Sequence, residues 1–186
     1  LSNILIERMR HHLDLGQQVV LFLNRRGYAP LLICRECGDI RSCHRCDAYL
    51  VYYKSHEILS CHHCGYKISL EKIPKCCEDQ NMAPIGLGTE SIEEEVRQLF
   101  PEKNVVRVDR DSIKSGDSFE IILRNIEEKQ VDIVIGTQMI SKGLDFENVT
   151  LVGVLDADRR LYSIAFRAEE RLAQLLIQVT GRAGRG

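Results

Sequence analysis

An α/β fold on a parallel sheet, interrupted by a small cysteine-rich insertion, is the architecture this sequence predicts. Three observations predict it. Continuous apolar, β-favouring runs at residues 19–23, 133–135 and 151–155 alternate with segments of helical periodicity, the pattern of strands joined by helical crossovers. All eight cysteines fall within 44 of the 186 residues, and the other 142 have none. A composition of 44% hydrophobic and 28% charged residues supplies one sizeable core with a satellite, and excludes disorder, collagen and coiled coil.

The elements follow in order. Ile4, Leu5, Met9, His12 and Leu13 lie at helical spacing, and Gly16 stands where a C′ glycine stops a helix. Residues 19–23 form a buried strand, with Asn24-Arg25-Arg26-Gly27 at its carboxyl end. After the cysteines, residues 85–88 lead into a helix whose first turns carry Glu90, Glu93, Glu94 and Glu95, favourable against the helix dipole. Ile92, Val96 and Leu99 share one face of it, and Pro101 ends it. Residues 105–108 are the next strand. Asp117-x-x-Glu120 reads as a capping box before a helix with Phe119, Ile122, Leu123 and Ile126 on one face. Two further strands and an amphipathic helix over 163–179 complete the pattern. Cuts at about residues 33 and 84 make 1–33 with 84–186 one discontinuous domain of ordinary size and 34–83 an inserted module.

The formal net charge is −2, so the chain has no overall electropositive field, and any nucleic-acid contact needs a local arrangement of cations. No apolar run is long enough to span a bilayer, no secretory signal opens the sequence, and a cytoplasmic chain is expected.

Cys34/Cys37, Cys43/Cys46 and Cys61/Cys64 are C-x-x-C pairs, a spacing that turns two thiolates toward one tetrahedral metal. Eight thiolates suit two Zn²⁺ sites of four. A disulfide framework is the competing reading, and the cytosolic character of the flanking sequence disfavours it. The fourth pair, Cys76-Cys77, is adjacent: both bind through a tight turn, or one binds, or a histidine among His44, His56, His62 and His63 completes a site. A module of about 50 residues holds little core of its own, so metal supplies most of its folding free energy.

The carboxyl end reads Gln178-Val179-Thr180-Gly181-Arg182-Ala183-Gly184-Arg185. Two arginines three apart among glycines suit a clamp on a polyphosphate and on charge developing at a transferring phosphoryl group. The stretch resembles motif VI of superfamily 2 helicases. By that resemblance Arg185 is the arginine finger, Arg182 a second phosphate contact, Gln178 their companion, and Gly181 lines the nucleotide. Residues 132–146, a strand followed by Gly136-Thr137-Gln138 and Ser141-Lys142-Gly143-Leu144-Asp145, resemble motif V. That implies Thr137, Gln138 and Lys142 on the DNA backbone and Gly143 and Asp145 toward the nucleotide; strand-end hydroxyls and glycine amides hold phosphates without reading bases. Asn24-Arg25-Arg26-Gly27-Tyr28 resembles the motif IV region more weakly. No G-x-x-x-x-G-K-[ST] loop and no D-E-x-H box occur, so the chain is expected to be the second lobe of a two-lobe motor, inactive toward ATP and Mg²⁺ by itself.

A zinc module between Asn24–Pro30 and Gly86-Leu87-Gly88-Thr89-Glu90, with Val108-Asp109-Arg110-Asp111 downstream, resembles the primosomal protein N′ (PriA) family of replication-restart helicases over nearly the whole chain. The resemblance implies a RecA-like parallel sheet with flanking helices. It also implies 3′-to-5′ unwinding of single-stranded and forked DNA, other primosome proteins as partners, and nested ligation: Cys34, Cys37, Cys76, Cys77 on one zinc, Cys43, Cys46, Cys61, Cys64 on the other. The last pair departs from the family's C-x-x-C. Residues 34–77 carry seven basic and five acidic residues; with eight thiolates and two Zn²⁺ their formal charge is −2, which favours a protein contact or strand-separating wedge over a simple grip on phosphate. Tyr49, Tyr52, Tyr53 and Tyr66 either cover the module's core or stack on bases. The rival class is a non-enzymatic zinc-ribbon module binding protein or nucleic acid.

Overall fold

The computed structural model describes residues 1–23, 27–78, 81–109, 112–113, 116–137 and 148–156. In chain order the elements are α1 (Asn3–Asp14), β1 (Gln18–Phe22), β2 (Leu31–Cys34), β3 (Val51–Tyr53), β4 (Ile58–Ser60), β5 (Lys67–Ser69), β6 (Met82–Ile85), α2 (Thr89–Leu99), β7 (Val105–Val108), α3 (Gly116–Glu127), β8 (Ile133–Gly136) and β9 (Val149–Val154). Short 3-10 turns lie at Lys54–His56 and Leu70–Lys72. Contacts divide the chain into two compact units, residues 1–24 with 92–186, and residues 25–91.

In the first unit β7, β8, β1 and β9 form a sheet in that order, with every pairing parallel. β1 is buried along its whole length because both faces are covered. Val19, Leu21 and Leu23 pack with Met9 and Leu13 of α1 and with Ile92 and Val96 of α2. Val20 and Phe22, one residue out of phase, pack on the opposite face with Ile126 of α3, Val108 and Val134. The period of two along β1 therefore assigns each residue to one helical layer. Buried Gln18 closes the amino end of the strand, its amide donating to the carbonyls of Ile126 and Val131 at 2.8 and 2.7 Å.

α1 ends in the glycine stop that the sequence predicts. Gly16 has φ +70°, its N–H donates to Leu13, and the N–H of Gln17 donates to His12, the paired bonds of a Schellman turn. Two details differ from the sequence reading. Ile4 is 75% exposed, so the buried stripe begins with the half-buried Leu5. α3 begins at Gly116, which puts Asp117 inside the helix instead of at its N-cap. The helix expected over 163–179 lies outside the described residues.

In the second unit β2 and β6 form an antiparallel two-stranded stem, and β3, β4 and β5 an antiparallel three-stranded sheet. The stem strands pair with each other, which groups them with the cysteine-rich residues. A small core joins Leu32, Leu50, Leu59 and Ile73 to Cys43 and Cys61. Tyr53 is buried and Tyr52 and Tyr66 pack against this core, whereas Tyr49 is 57% exposed.

Candidate metal centres

Three of the four cysteine pairs adopt one backbone design. The N–H of the first cysteine donates to the carbonyl five residues on: Cys34 to Asp39, Cys43 to Ala48 and Cys61 to Tyr66, at 2.9, 2.8 and 2.7 Å. The N–H four residues on returns to the first cysteine's carbonyl, from Gly38, Asp47 and Gly65 at 2.9, 2.8 and 3.0 Å. Those returning residues, each directly after the second cysteine, have φ of 74°, 57° and 75°. That left-handed turn is open to glycine and tolerated by Asp, which explains Gly, Asp and Gly at these places. A Cβ at Gly65 would meet nothing within 4 Å, so only backbone strain opposes Gly65→Ala. The substitution is expected to destabilise the unit by about 1–2 kcal/mol, and Gly65→Asn by less, in urea unfolding.

The folds of the hairpins bring the sulfurs together. The sulfurs of Cys34, Cys37, Cys76 and Cys77 lie within 4.8 Å of one another, and so do those of Cys43, Cys46, Cys61 and Cys64. Tetrahedral thiolates about 2.3 Å from zinc stand about 3.8 Å apart. The separations are 3.8 Å for Cys34–Cys77 and 3.5 Å for both Cys43–Cys64 and Cys46–Cys61, with all eight cysteines free of disulfides. No histidine joins either set among the described residues. His62 Nε2 meets the Tyr53 hydroxyl at 3.0 Å, and His44 lies edge-on to Tyr66, whose ring also carries the Arg45 guanidinium.

Electrostatics fit a divalent cation at each set. The Cys61 thiol is lowered to about 6, first by the N–H of Cys64 and then by that of His63, with burial opposing. Cys34 is lowered to about 7, chiefly by the N–H of Cys37, with burial again opposing and the N–H of Glu36 adding to the drop. Their neighbours move the other way. The N–H of Ala48 lowers Cys46, but burial and the sulfurs of Cys61, Cys64 and Cys43 push it up to about 12; Cys77 is pushed up by the sulfur of Cys37, by burial and by Cys34 and Cys76. Four sulfurs this close repel one another's negative charge, and a bound dication removes that penalty.

A buried carboxylate braces the β3–β4 hairpin, a role that no local pattern in the sequence announces. Glu90 is 8% exposed; it accepts the N–H of Lys54 at 3.0 Å and the Ser55 hydroxyl at 2.5 Å, fixing the 3-10 turn between β3 and β4. Glu90→Ala is expected to cost the unit about 2 kcal/mol, and Glu90→Gln less because an acceptor oxygen remains. Tyrosine fluorescence during urea unfolding reads this unit: five of the six tyrosines lie in residues 25–91, and the chain has no tryptophan.

The parallel sheet presents its strand ends in one direction, and in open α/β sheets ligands bind beyond those carboxyl ends. Thr137 follows β8 there, 9% exposed, its N–H directed at the Val108 carbonyl at 3.4 Å. Asp109 follows β7, fully buried, accepting the Ser112 N–H at 2.8 Å while its own N–H donates to the Ser112 hydroxyl at 2.9 Å. Gln138, Lys142, Gly143, Asp145, Gln178, Gly181, Arg182 and Arg185 lie outside the described residues, as do Asn24, Arg25 and Arg26.

Comparison with known proteins joins the two units. Residues 78–186 match the helicase conserved C-terminal domain. The chain belongs to that family. Its lobe is therefore RecA-like, and β1 with α1 extends the helicase C-terminal domain's sheet upstream of the matched residues, beyond the insertion. Residues 43–68 match the cysteine-rich region domain of PriA DNA helicase, which takes in the Cys43, Cys46, Cys61, Cys64 set. Similarity to replication restart protein PriA runs through the chain: 49% identity to the protein of Haemophilus influenzae over 100% of this chain and 25% of that protein, 48% to that of Rickettsia felis over 100% and 29%, and 42% to that of Bacillus subtilis over 97% and 22%. The chain thus spans about a quarter of the length of these relatives. No helix among the described residues is long and apolar enough to cross a membrane.

Proposed function

We propose that this chain is the carboxyl-terminal motor lobe of an ATP-dependent, 3′-to-5′ DNA helicase that restarts replication in the cytoplasm, with a module held by two structural Zn²⁺ ions. The observation that carries the reading is the pairing of two four-sulfur clusters with a parallel-sheet lobe of the helicase C-terminal family in one chain. Residues 34–83 form the zinc module, and residues 1–33 with 84–186 the lobe.

Each zinc supplies Lewis-acid charge that holds four thiolates together; Cys34, Cys37, Cys76 and Cys77 bind one, Cys43, Cys46, Cys61 and Cys64 the other. ATP with Mg²⁺ binds between this lobe and a preceding one that supplies the phosphate loop. Arg182 and Arg185 neutralise charge on the γ-phosphoryl group, Gln178 orients them, and Gly143, Asp145 and Gly181 line the nucleotide. Thr137, Gln138 and Lys142 hold the backbone of single-stranded DNA, and cleft closure shifts that grip. Forked DNA and other primosome proteins are the partners.

Arg185→Ala in the full-length protein is expected to lower DNA-stimulated ATP turnover by about 10³-fold while DNA affinity stays unchanged. Turnover near wild type overturns the finger role. The isolated chain is expected to bind about two zinc ions and to hydrolyse no ATP.

A further inference from the structure

Resting on the reading of both clusters as zinc centres, we infer that the two are unequal: the set Cys34, Cys37, Cys76, Cys77 holds its metal more loosely and releases it first. The backbone differs at one pair. In Cys34–Cys37 and Cys61–Cys64 the second cysteine's N–H, three residues on, donates to the first sulfur. In Cys76-Cys77 the second N–H is one residue on and cannot fold back in that way. The ring that closes the other three hairpins would need the Cys76 N–H on the Asn81 carbonyl, which instead accepts the N–H of Arg35 at 2.8 Å. The inner centre is thus built on two complete hairpins and the outer on one. Outer-shell hydrogen bonds to ligand atoms orient them and raise affinity.

Burial and nesting point the same way. Cys43 and Cys61 are 0% and 1% exposed within the core of Leu32, Leu50, Leu59 and Ile73. Each set has one exposed cysteine, Cys37 in the outer and Cys64 in the inner; the inner has one half-buried cysteine, Cys46, and the outer two, Cys76 and Cys77, leaving only Cys34 buried there. The outer set therefore offers a competing ligand or water three partly open sulfurs against two in the inner. The outer centre also encloses the inner, with Cys34 and Cys77 43 residues apart against 21 for Cys43 and Cys64. Its opening frees the stem, where Cys34 of β2 faces Met82 of β6, and leaves the β3–β4–β5 sheet stapled.

The test uses the full-length protein. Zinc content is measured first, then release to EDTA is followed with a chromogenic zinc indicator, while pulses of N-ethylmaleimide and mass spectrometry locate the thiols uncovered at each stage. Release in two phases, the first at least about tenfold easier and exposing Cys34, Cys37, Cys76 and Cys77, is the expected result. Inserting two residues between Cys76 and Cys77 is expected to bring the first phase toward the second. Simultaneous release, or earlier labelling of Cys43, Cys46, Cys61 and Cys64, overturns the inequality. A starting content of one zinc or none overturns the two-centre reading itself, and the inequality with it.

Discussion

Cys61→Ser is expected to lower zinc from about two ions per chain to about one and to unfold the β3–β4–β5 sheet. Cys61 is 1% exposed, shares the core with Cys43, Leu50 and Leu59, and accepts the N–H groups of Cys64 and His63. Serine keeps the volume but not the ligand, and leaves three thiolates facing one another with no ion to hold them. Structural zinc contributes about 10–16 kcal/mol of apparent binding free energy in small zinc domains, whereas a core of this size rarely supplies more than about 3–5 kcal/mol. Hydrogen exchange provides the measurement. Amides of β3, β4 and β5 should lose protection, while those of β1 and β8, central in a sheet covered on both faces, should keep it. Retained protection in β3–β5 at one zinc per chain would show that the apolar core alone holds the unit.

Gly88→Ala is expected to destabilise the same unit by about 3 kcal/mol, through sterics alone. A Cβ at Gly88 would stand 2.1 Å from the Gly27 carbonyl oxygen and 2.7 Å from its carbon, both backbone atoms with no rotamer to yield. The close approach is held by hydrogen bonds: Gly88 N–H to Tyr28 at 3.1 Å and Glu90 N–H to Gly27 at 2.9 Å. Gly27 is locked in turn, since a Cβ there would lie 2.7 Å from Val51 Cγ1 and 2.8 Å from the Tyr52 carbonyl. Gly38→Ala is the control: its φ of +74° is strained but its surroundings are open, so it should cost about 1–2 kcal/mol. Urea unfolding followed by tyrosine fluorescence should rank Gly88→Ala well above Gly38→Ala, and equal midpoints would dismiss the steric account.

Legibility in the sequence depended on how local each signal was. Residues 105–108 form the expected strand, because a short run of β-branched residues between helices has few alternatives. Gly16 was readable as a stop because a Schellman turn needs only the residues beside it. Ile4 shares the periodicity of the buried stripe yet is exposed, for the opposite reason: a helix near its amino end has neighbours on that face only if another element covers it. The vicinal pair stayed open in the sequence, since the directions of two adjacent side chains depend on the backbone between them, and the structure gathers both sulfurs into one set. The bracing role of Glu90 was equally invisible. Its partners, Lys54 and Ser55, are 36 and 35 residues away, and no local pattern announces such a bond.

The sequence alone determined the kinds of structure: strands alternating with helices, a cysteine-rich interruption, three hairpins that each turn two thiolates inward, and the resemblance to a helicase family. These are encoded in neighbours a few residues apart, where periodicity, a glycine or a C-x-x-C spacing restricts the chain directly. Tertiary structure decided the partners: β1 between β8 and β9, the sorting of eight sulfurs into nested fours, and the fit of Gly88 against Gly27. Those depend on which distant segments meet. That choice is made by burial and excluded volume summed over the folded chain, which no short stretch of residues contains.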